Sequence, residues 1–219
     1  MNGLVQLEST LIGTKDAVEK LNKFSSATLL VISDSHGDTE TVEQIIQNFG
    51  ADSDALLFCG DGFSDIMAVV EKAFTNERLQ ACLPPVIACV QGNGDPPSQT
   101  IAISNNKLRN YFVKRSLTFT VAGRVVFLTH GNSHCVDLGV EMLSSVAYSA
   151  DADLAFYGHT HQYFRDDIGG TFYLNPGSCS RPRGGQVPSF AVVSFPGKNE
   201  QYNAEFFCIN KNIFKNCEF

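Results

Sequence analysis

The chain has 219 residues, with 16 Lys and Arg against 23 Asp and Glu and a formal net charge of −7. That length fits one domain, residues 1–219, with a sizeable core. An acidic balance without a basic stripe weighs against a general nucleic-acid-binding surface, though not against a small phosphorylated substrate. No stretch approaches ~18 uncharged apolar residues, so no membrane span is expected.

Residues 1–27 read as an N-terminal extension. They lack a basic segment followed by an unbroken apolar one, so they do not read as a secretory leader. Residues 14–24 instead carry Ala17, Val18, Leu21 and Phe24 on one helical stripe. Residues 28–33 form an apolar run of strand length that ends in Asp34-Ser35-His36-Gly37. Asp38 is placed to cap a helix that runs to about residue 49 and stops at Gly50. A second buried strand over 55–59 ends at Gly60-Asp61-Gly62, and a helix follows over 64–74. A third strand over 85–90 leads into Gly92-Asn93-Gly94-Asp95, after which Pro96-Pro97 forbids an immediate helix.

The pattern then changes. Residues 117–121 and 125–128 flank Ala122-Gly123-Arg124 as a hairpin, and its second arm leads into His130-Gly131. A helix is predicted over about 137–149 and a short strand over 154–157, ending at Gly158-His159-Thr160-His161. Hairpins follow over 163–168 and 171–174, around Gly169-Gly170, and over 190–195 and 202–208, around Pro196-Gly197-Lys198-Asn199. Between them, Asn175-Pro176-Gly177-Ser178 reads as a tight turn with Ser178 bonding backbone. Phe206 and Phe207 read as core, whereas Phe214 and Phe219 fit core or an interface patch. Strand–helix repeats first and antiparallel strands later describe a mixed α/β fold of two packed sheets with helices outside.

The seven cysteines stand at 59, 82, 89, 135, 179, 208 and 217. Their number is odd and none forms a Cys-x-x-Cys pair. Neither a disulfide framework nor a thiolate zinc site is expected, and reduced thiols suit a cytoplasmic protein.

The chemistry lies in the polar blocks. Asp34 and His36 are two apart, and if their segment is extended both side chains project to one side. His159 and His161 share that spacing. Asp61 offers a carboxylate between glycines, able to bridge two cations through its two oxygens. Asn93 adds a neutral carbonyl oxygen, and His130 an imidazole. Any one block carries little weight, but five in order, each just after an apolar strand, read as a ligand set for two metal ions.

Asp34-x-His36, Gly60-Asp61, Gly92-Asn93, His130-Gly131 and Gly158-His159-x-His161 resemble the signature of calcineurin-like metallophosphoesterases. The resemblance covers about residues 28–195. Compact size and the Asn175-Pro176-Gly177-Ser178 turn, with Arg181-Pro182-Arg183 downstream, resemble the small bacterial and archaeal phosphodiesterases, the YfcE-like group. It implies a four-layer α/β/β/α sandwich of two mixed sheets flanked by helices. It also implies two divalent metal ions, Mn²⁺ preferred, with Fe, Co²⁺, Ni²⁺ or Zn²⁺ also compatible with this nitrogen and oxygen set. One ion would take Asp34, His36, Asp61 and His161. The other would take Asp61, Asn93, His130 and His159. A metal-bridging hydroxide then attacks a phosphate ester, with no protein nucleophile.

Two departures stand out. Many members carry a His after Gly-Asn to assist the leaving group, and Gly94 stands here instead. The small branch often reads His-Gly-His, where this chain has His130-Gly131-Asn132. His134, two residues on, fits either a site role or an exposed position before the helix. Asp95 fits a hydrogen bond to a ligating His or a turn role. Arg181 and Arg183 fit phosphate contacts or solvated side chains. The alternatives to an enzyme on small esters are a protein-interaction scaffold, as the retromer scaffold subunit resembles this family, and a nuclease. A homo-oligomer is compatible with the sequence.

Overall fold

The computed structural model describes residues 2–104, 107–195, 201–210 and 213–217. The first half runs β1 (Ile12–Gly13), α1 (Lys15–Lys23), β2 (Ala27–Ile32), α2 (Thr39–Phe49), β3 (Ala55–Phe58), α3 (Phe63–Ala73), α4 (Glu77–Cys82) and β4 (Val86–Cys89). A hairpin of β5 (Ser98–Ser104) and β6 (Lys107–Phe112) follows, then β7 (Ser116–Val121) and β8 (Arg124–Thr129). After a 3-10 turn (Asn132–His134) come α5 (Glu141–Ser149), β9 (Leu154–Phe156), β10 (Tyr163–Ile168) and β11 (Thr171–Pro176). The order ends with β12 (Ser189–Phe195), β13 (Asn203–Asn210) and β14 (Ile213–Asn216).

These strands build a seven-stranded sheet, β1-β4-β3-β2-β12-β13-β14, and a five-stranded sheet, β10-β11-β9-β8-β7. β2, β3 and β4 are mutually parallel, and β9 runs parallel to both neighbours, β8 and β11. Because side chains alternate along a strand, β2 sends Leu29 and Val31 one way and Leu30 and Ile32 the other, all fully buried. Leu29 and Val31 join Leu57, Ala88, Leu128 and Phe156 in the core between the two sheets. Leu30 and Ile32 pack with Val42, Ile45 and Ile46 of α2 and Ile66 and Val70 of α3. Phe127, Ala155 and Tyr173 of the smaller sheet pack against Leu143 and Ala147 of α5. The layers are α/β/β/α, as the resemblance implied.

Asp38 caps α2 as predicted, accepting the Thr41 N–H at 3.0 Å. The helix expected over 137–149 begins only at Glu141, because Gly139 has φ +132° and Cys135 φ +51°, values a right-handed helix excludes. Four elements go beyond the sequence reading: β1, α4, the β5–β6 hairpin and β14. Each is short or partly exposed. α4 is capped by Asn76, and Leu108 and Phe112 of β6 face solvent.

The cysteine expectation needs correcting. Cys208 and Cys217 form a disulfide, because antiparallel pairing of β13 with β14 brings their Cα atoms to 5.2 Å. The bond staples one hairpin and is not a framework. Cys59, Cys89 and Cys179 are free and buried, Cys82 is free and half-buried, and Cys135 is free and exposed. Phe206 lies in the inter-sheet core, and Phe207 and Phe214 pack on Phe49 and Phe190. The expected turn at 196–199, and Phe219, lie outside the described residues. No helix among the described residues is long and apolar enough to cross a membrane.

The N-terminal segment is more than a helix. α1 adds Leu21 to the inter-sheet core, and β1 extends the large sheet beside β4. Asn2 is buried, and its carboxamide donates to Pro84 O at 2.8 Å and Ile12 O at 3.3 Å while accepting the Leu4 N–H at 2.8 Å. Truncation strands these groups, and an unsatisfied buried partner costs about 1–3 kcal/mol. Asn2→Ala is therefore expected to lower unfolding stability by about 2 kcal/mol in urea titrations at unchanged slope. A loss near zero would show that this anchor is not used.

Candidate metal centre

Asp34 follows β2, Asp61 follows β3, Asn93 follows β4, His130 follows β8, and His159 and His161 follow β9. Parallel strands put these loops at the same edge of their sheets, where open α/β sheets bind ligands. The two sheets meet there: the His159 N–H donates to Asp34 Oδ2 at 3.1 Å.

The loops are not extended, as the two-residue spacing had suggested. Asp34, His36, Asp61, His159 and His161 all have positive φ, from +45° to +70°. Left-handed backbone at a non-glycine residue costs about 1–3 kcal/mol and persists only where the surroundings enforce it. It turns the Asp-x-His and His-x-His pairs within the loop. As a result, His36 and His161 face one another, while His159 turns toward a different partner.

Two carboxylates, buried Asp65 and half-buried Asp95, enforce these turns. Asp65 accepts from Ser35 Oγ (2.5 Å), Gly37 N (2.9 Å) and Thr39 Oγ1 (2.7 Å) and so shapes the first loop. Asp95 accepts four peptide N–H groups, from Asp61, Gly62, Phe63 and Gly92, at 2.7–2.9 Å. It therefore bonds backbone, not a histidine, and joins the β3 and β4 loops. Ser178 Oγ bonds backbone as predicted, donating to Asp34 O and accepting the Arg181 N–H, both at 2.7 Å, but residues 175–178 are not the tight turn expected, because β11 continues through Pro176. A Cβ on Gly92 would sit 2.1 Å from Asp61 Oδ1, so only glycine fits there.

Within this frame five side chains converge: Asp34, His36, Asp61, His130 and His161. His36 Nε2 and His161 Nε2 are 2.9 Å apart. Asp34 Oδ1 lies 3.2 Å from His161 Nε2 and 3.7 Å from His36 Nε2. Gly94 N–H holds Asp61 Oδ1 at 2.7 Å, leaving Asp61 Oδ2 at 3.8 Å from His36 Nε2 and 3.6 Å from His130 Nε2. One carboxylate oxygen, not two, thus stands between the imidazoles. His130 is oriented by its Nδ1, 2.7 Å from Cys59 O, and His161 by its Nδ1, 2.5 Å from Arg181 O.

The electrostatics follow this geometry. Burial alone would raise the Asp61 pKa, but His130, the Gly94 N–H and His36 outweigh it and hold the carboxyl at about 2. Burial pulls His36 down, and the neighbouring carboxylates only partly oppose it. For His130 and His161, burial also lowers the pKa, yet Asp61 and Asp34 respectively turn the net shift upward.

Two donor trios have the separation to hold a cation: Asp34, His36 and His161, and Asp34, Asp61 and His130, each with donor atoms within 4.8 Å of one another. Asp34 Oδ1 and His130 Nε2 are buried, yet neither has a hydrogen-bond partner among the described residues. Such stranding costs about 1–3 kcal/mol per group and is rare in folded proteins. Carboxylate oxygen and imidazole nitrogen are the donors a divalent transition metal prefers, so the residues present fit the expected group.

The remaining expected residues lie further out. Asn93 is exposed and lines a neighbouring cleft. His159 stacks edge-on to His130 at 5.1 Å, and its Nε2 is 2.8 Å from Asp137 Oδ2. Sequence reading passed over Asp137, having placed it inside a helix. A carboxylate on Nε2 keeps the ring proton there and leaves Nδ1 as the free lone pair. His134 packs against the Phe127 ring at 6.1 Å, apart from both trios. Arg181 lines the opening beside His36, Asp61 and Gly94, and its guanidinium donates to His36 O at 3.2 Å. Arg183 is exposed, and its N–H donates to His161 O at 3.1 Å.

Residues 28–198 match the family described as the calcineurin-like phosphoesterase superfamily domain. The chain is 28% identical over 182 residues to probable metallophosphoesterase YsnB of Bacillus subtilis (strain 168), covering 82% of this chain and 89% of that protein. It is 29% identical over 172 residues to phosphodiesterase YfcE of Escherichia coli (strain K12), covering 75% of this chain and 86% of the relative. The structure of Vacuolar Protein Sorting 29 from Cryptosporidium parvum aligns with a TM-score of 0.64 at 16% identity, over 89% of this chain and 97% of that one, a likeness of fold. With its family match spanning the strands and loops that carry all these donors, the chain belongs to the calcineurin-like phosphoesterase superfamily.

Proposed function

We propose that this chain is a phosphodiesterase that hydrolyses a small phosphate diester with two divalent cations, Mn²⁺ preferred. The observation that carries the reading is the pair of stranded buried donors, Asp34 Oδ1 and His130 Nε2. In this reading Asp34, His36, Asp61 and His161 hold one cation. Asp61, Asn93, His130 and His159 would hold the other, with Asp61 common to both sets. When bound, such cations neutralise phosphoryl oxygens and lower the pKa of an attacking water.

The chain's own residues do the rest. Gly94 N–H and Asp95 fix Asp61 and its loop, and Asp137 orients His159. Arg181, at the mouth, contacts a phosphoryl oxygen. No side chain at position 94 can protonate the leaving group, so it must depart on its own acidity or with a proton from solvent. We further propose that residues 1–219 act as one domain, with 1–27 as a docked extension. The five free thiols favour a cytoplasmic setting, with the Cys208–Cys217 bond the exception to reduced cysteines. The scaffold alternative is disfavoured because a binding surface needs no full donor set with stranded atoms. The nuclease alternative is disfavoured by the net charge of −7.

Bis(4-nitrophenyl) phosphate with Mn²⁺ is expected to turn over at least ~100-fold faster than an alkyl monoester, since 4-nitrophenol leaves unaided and an alcohol needs general-acid help worth about 10²–10⁴. Asp61→Asn is expected to abolish the diesterase rate. Equal rates on the two esters, or activity surviving Asp61→Asn, contradict the mechanism. Asp137→Ala is expected to weaken the second Mn²⁺ by about 10–100-fold in calorimetry. Unchanged affinity would remove Asp137 from the site.

A further inference from the structure

We propose that the cleft beside Asn93 is a second substrate subsite, in which Arg115 binds an anionic group, a carboxylate or a phosphate, on the ester's second substituent. The inference rests on the phosphodiesterase reading and adds a substrate class to it. The cleft has a volume of about 300 Å³ and is lined by Gln91, Gly92, Asn93, Arg115, Asn132 and Ser133. It shares the Gly92–Asn93 loop with the metal centre, and Asn132 and Ser133 follow closely on His130. The cleft thus adjoins the centre, and in this proposal one ester substituent extends into it.

The lining selects the occupant. It offers one fixed positive charge, three carboxamides and a hydroxyl, with no carboxylate and no apolar side chain. There is no carboxylate to neutralise a cation and no ring face for an aromatic group to stack on. The opening lined by Gly94 sets Asp61, Asp65 and Asp95 against a single arginine, Arg181, so it is less suited to an anionic substituent.

Arg115 is built in by its backbone and free at its head. β4 is continued by a bridge from Val90 to Lys114, the Gln91 N–H donates to Lys114 O at 2.9 Å, and Thr129 Oγ1 donates to Arg115 O at 3.3 Å. Arg115 is thereby pinned between the strand ends that carry Asn93 and His130. Its guanidinium makes no hydrogen bond or ion pair among the described residues, whereas that of Arg181 is engaged with His36 O. A planar fork of donors matches carboxylate and phosphate oxygens pairwise.

The test uses three matched diesters with the Mn²⁺-loaded protein: 4-nitrophenyl propyl phosphate, 4-nitrophenyl 2-carboxyethyl phosphate and 4-nitrophenyl 2-phosphonoethyl phosphate. At least one anionic ester is expected to exceed the propyl ester in kcat/KM by about tenfold or more. The preferred one identifies the anion, and Arg115→Gln should collapse the ratio toward unity. A ratio near one in the wild type, or one that survives Arg115→Gln, overturns the subsite. If no ester turns over, the phosphodiesterase reading fails instead. Calorimetry with 2-carboxyethyl, 2-phosphonoethyl and propyl phosphates on the same two proteins then decides the cleft, by the presence or absence of an Arg115-dependent anion preference.

Discussion

The Asp95 carboxylate accepts four peptide N–H groups from two loops, and the geometry of the large sheet's donors depends on that clamp. It ties the turn after β3 to the turn after β4, so Asp61 and Asn93 are set by one half-buried charge. Charge-assisted hydrogen bonds of this kind contribute about 1.5–3 kcal/mol each. They offset the left-handed backbone at Asp61, much as Asp65 stabilises the loop that carries Asp34 and His36. The donors are thus held in a costly arrangement by carboxylates whose own oxygens are taken up by peptide and hydroxyl donors.

That arrangement has a consequence for electrostatics. With Oδ1 of Asp61 held by Gly94, Oδ2 is the oxygen left to face His36 and His130. Glycine at position 94 therefore does two things at once. It supplies the amide that fixes Asp61, and it removes the side chain through which a leaving group could be protonated. A Cβ there would approach Asp61 Oδ1 to 3.3 Å, so restoring a side chain requires the carboxylate to give way by a few tenths of an ångström.

Much of this was legible in the sequence. The apolar runs of β2, β3, β4, β8 and β9 are continuous because both faces are buried, and each stops at a block of Asp, Asn or His. The loop conformations were not legible. Spacing of two suggested an extended pair, yet tertiary contacts from Asp65 and Ser178, distant in sequence, impose positive φ on Asp34 and His36 and alter where both side chains point. Asp137 was hidden for a related reason. Apolar periodicity extended the following helix back through Gly139, whose positive φ leaves Asp137 in a turn beside His159. The Cys208–Cys217 bond depended on a hairpin partner, β14, too short and exposed to be read from pattern.

The central claim is that the convergent donors hold two cations, sharing Asp61. Titrating the metal-free protein with Mn²⁺, while counting ions by calorimetry and following the low-temperature electron paramagnetic resonance signal, tests it directly. The account predicts two ions per chain with an exchange-coupled spectrum, reduced to one uncoupled ion in His130→Ala. A wild-type stoichiometry of one or none, or two ions that show no coupling, contradicts it.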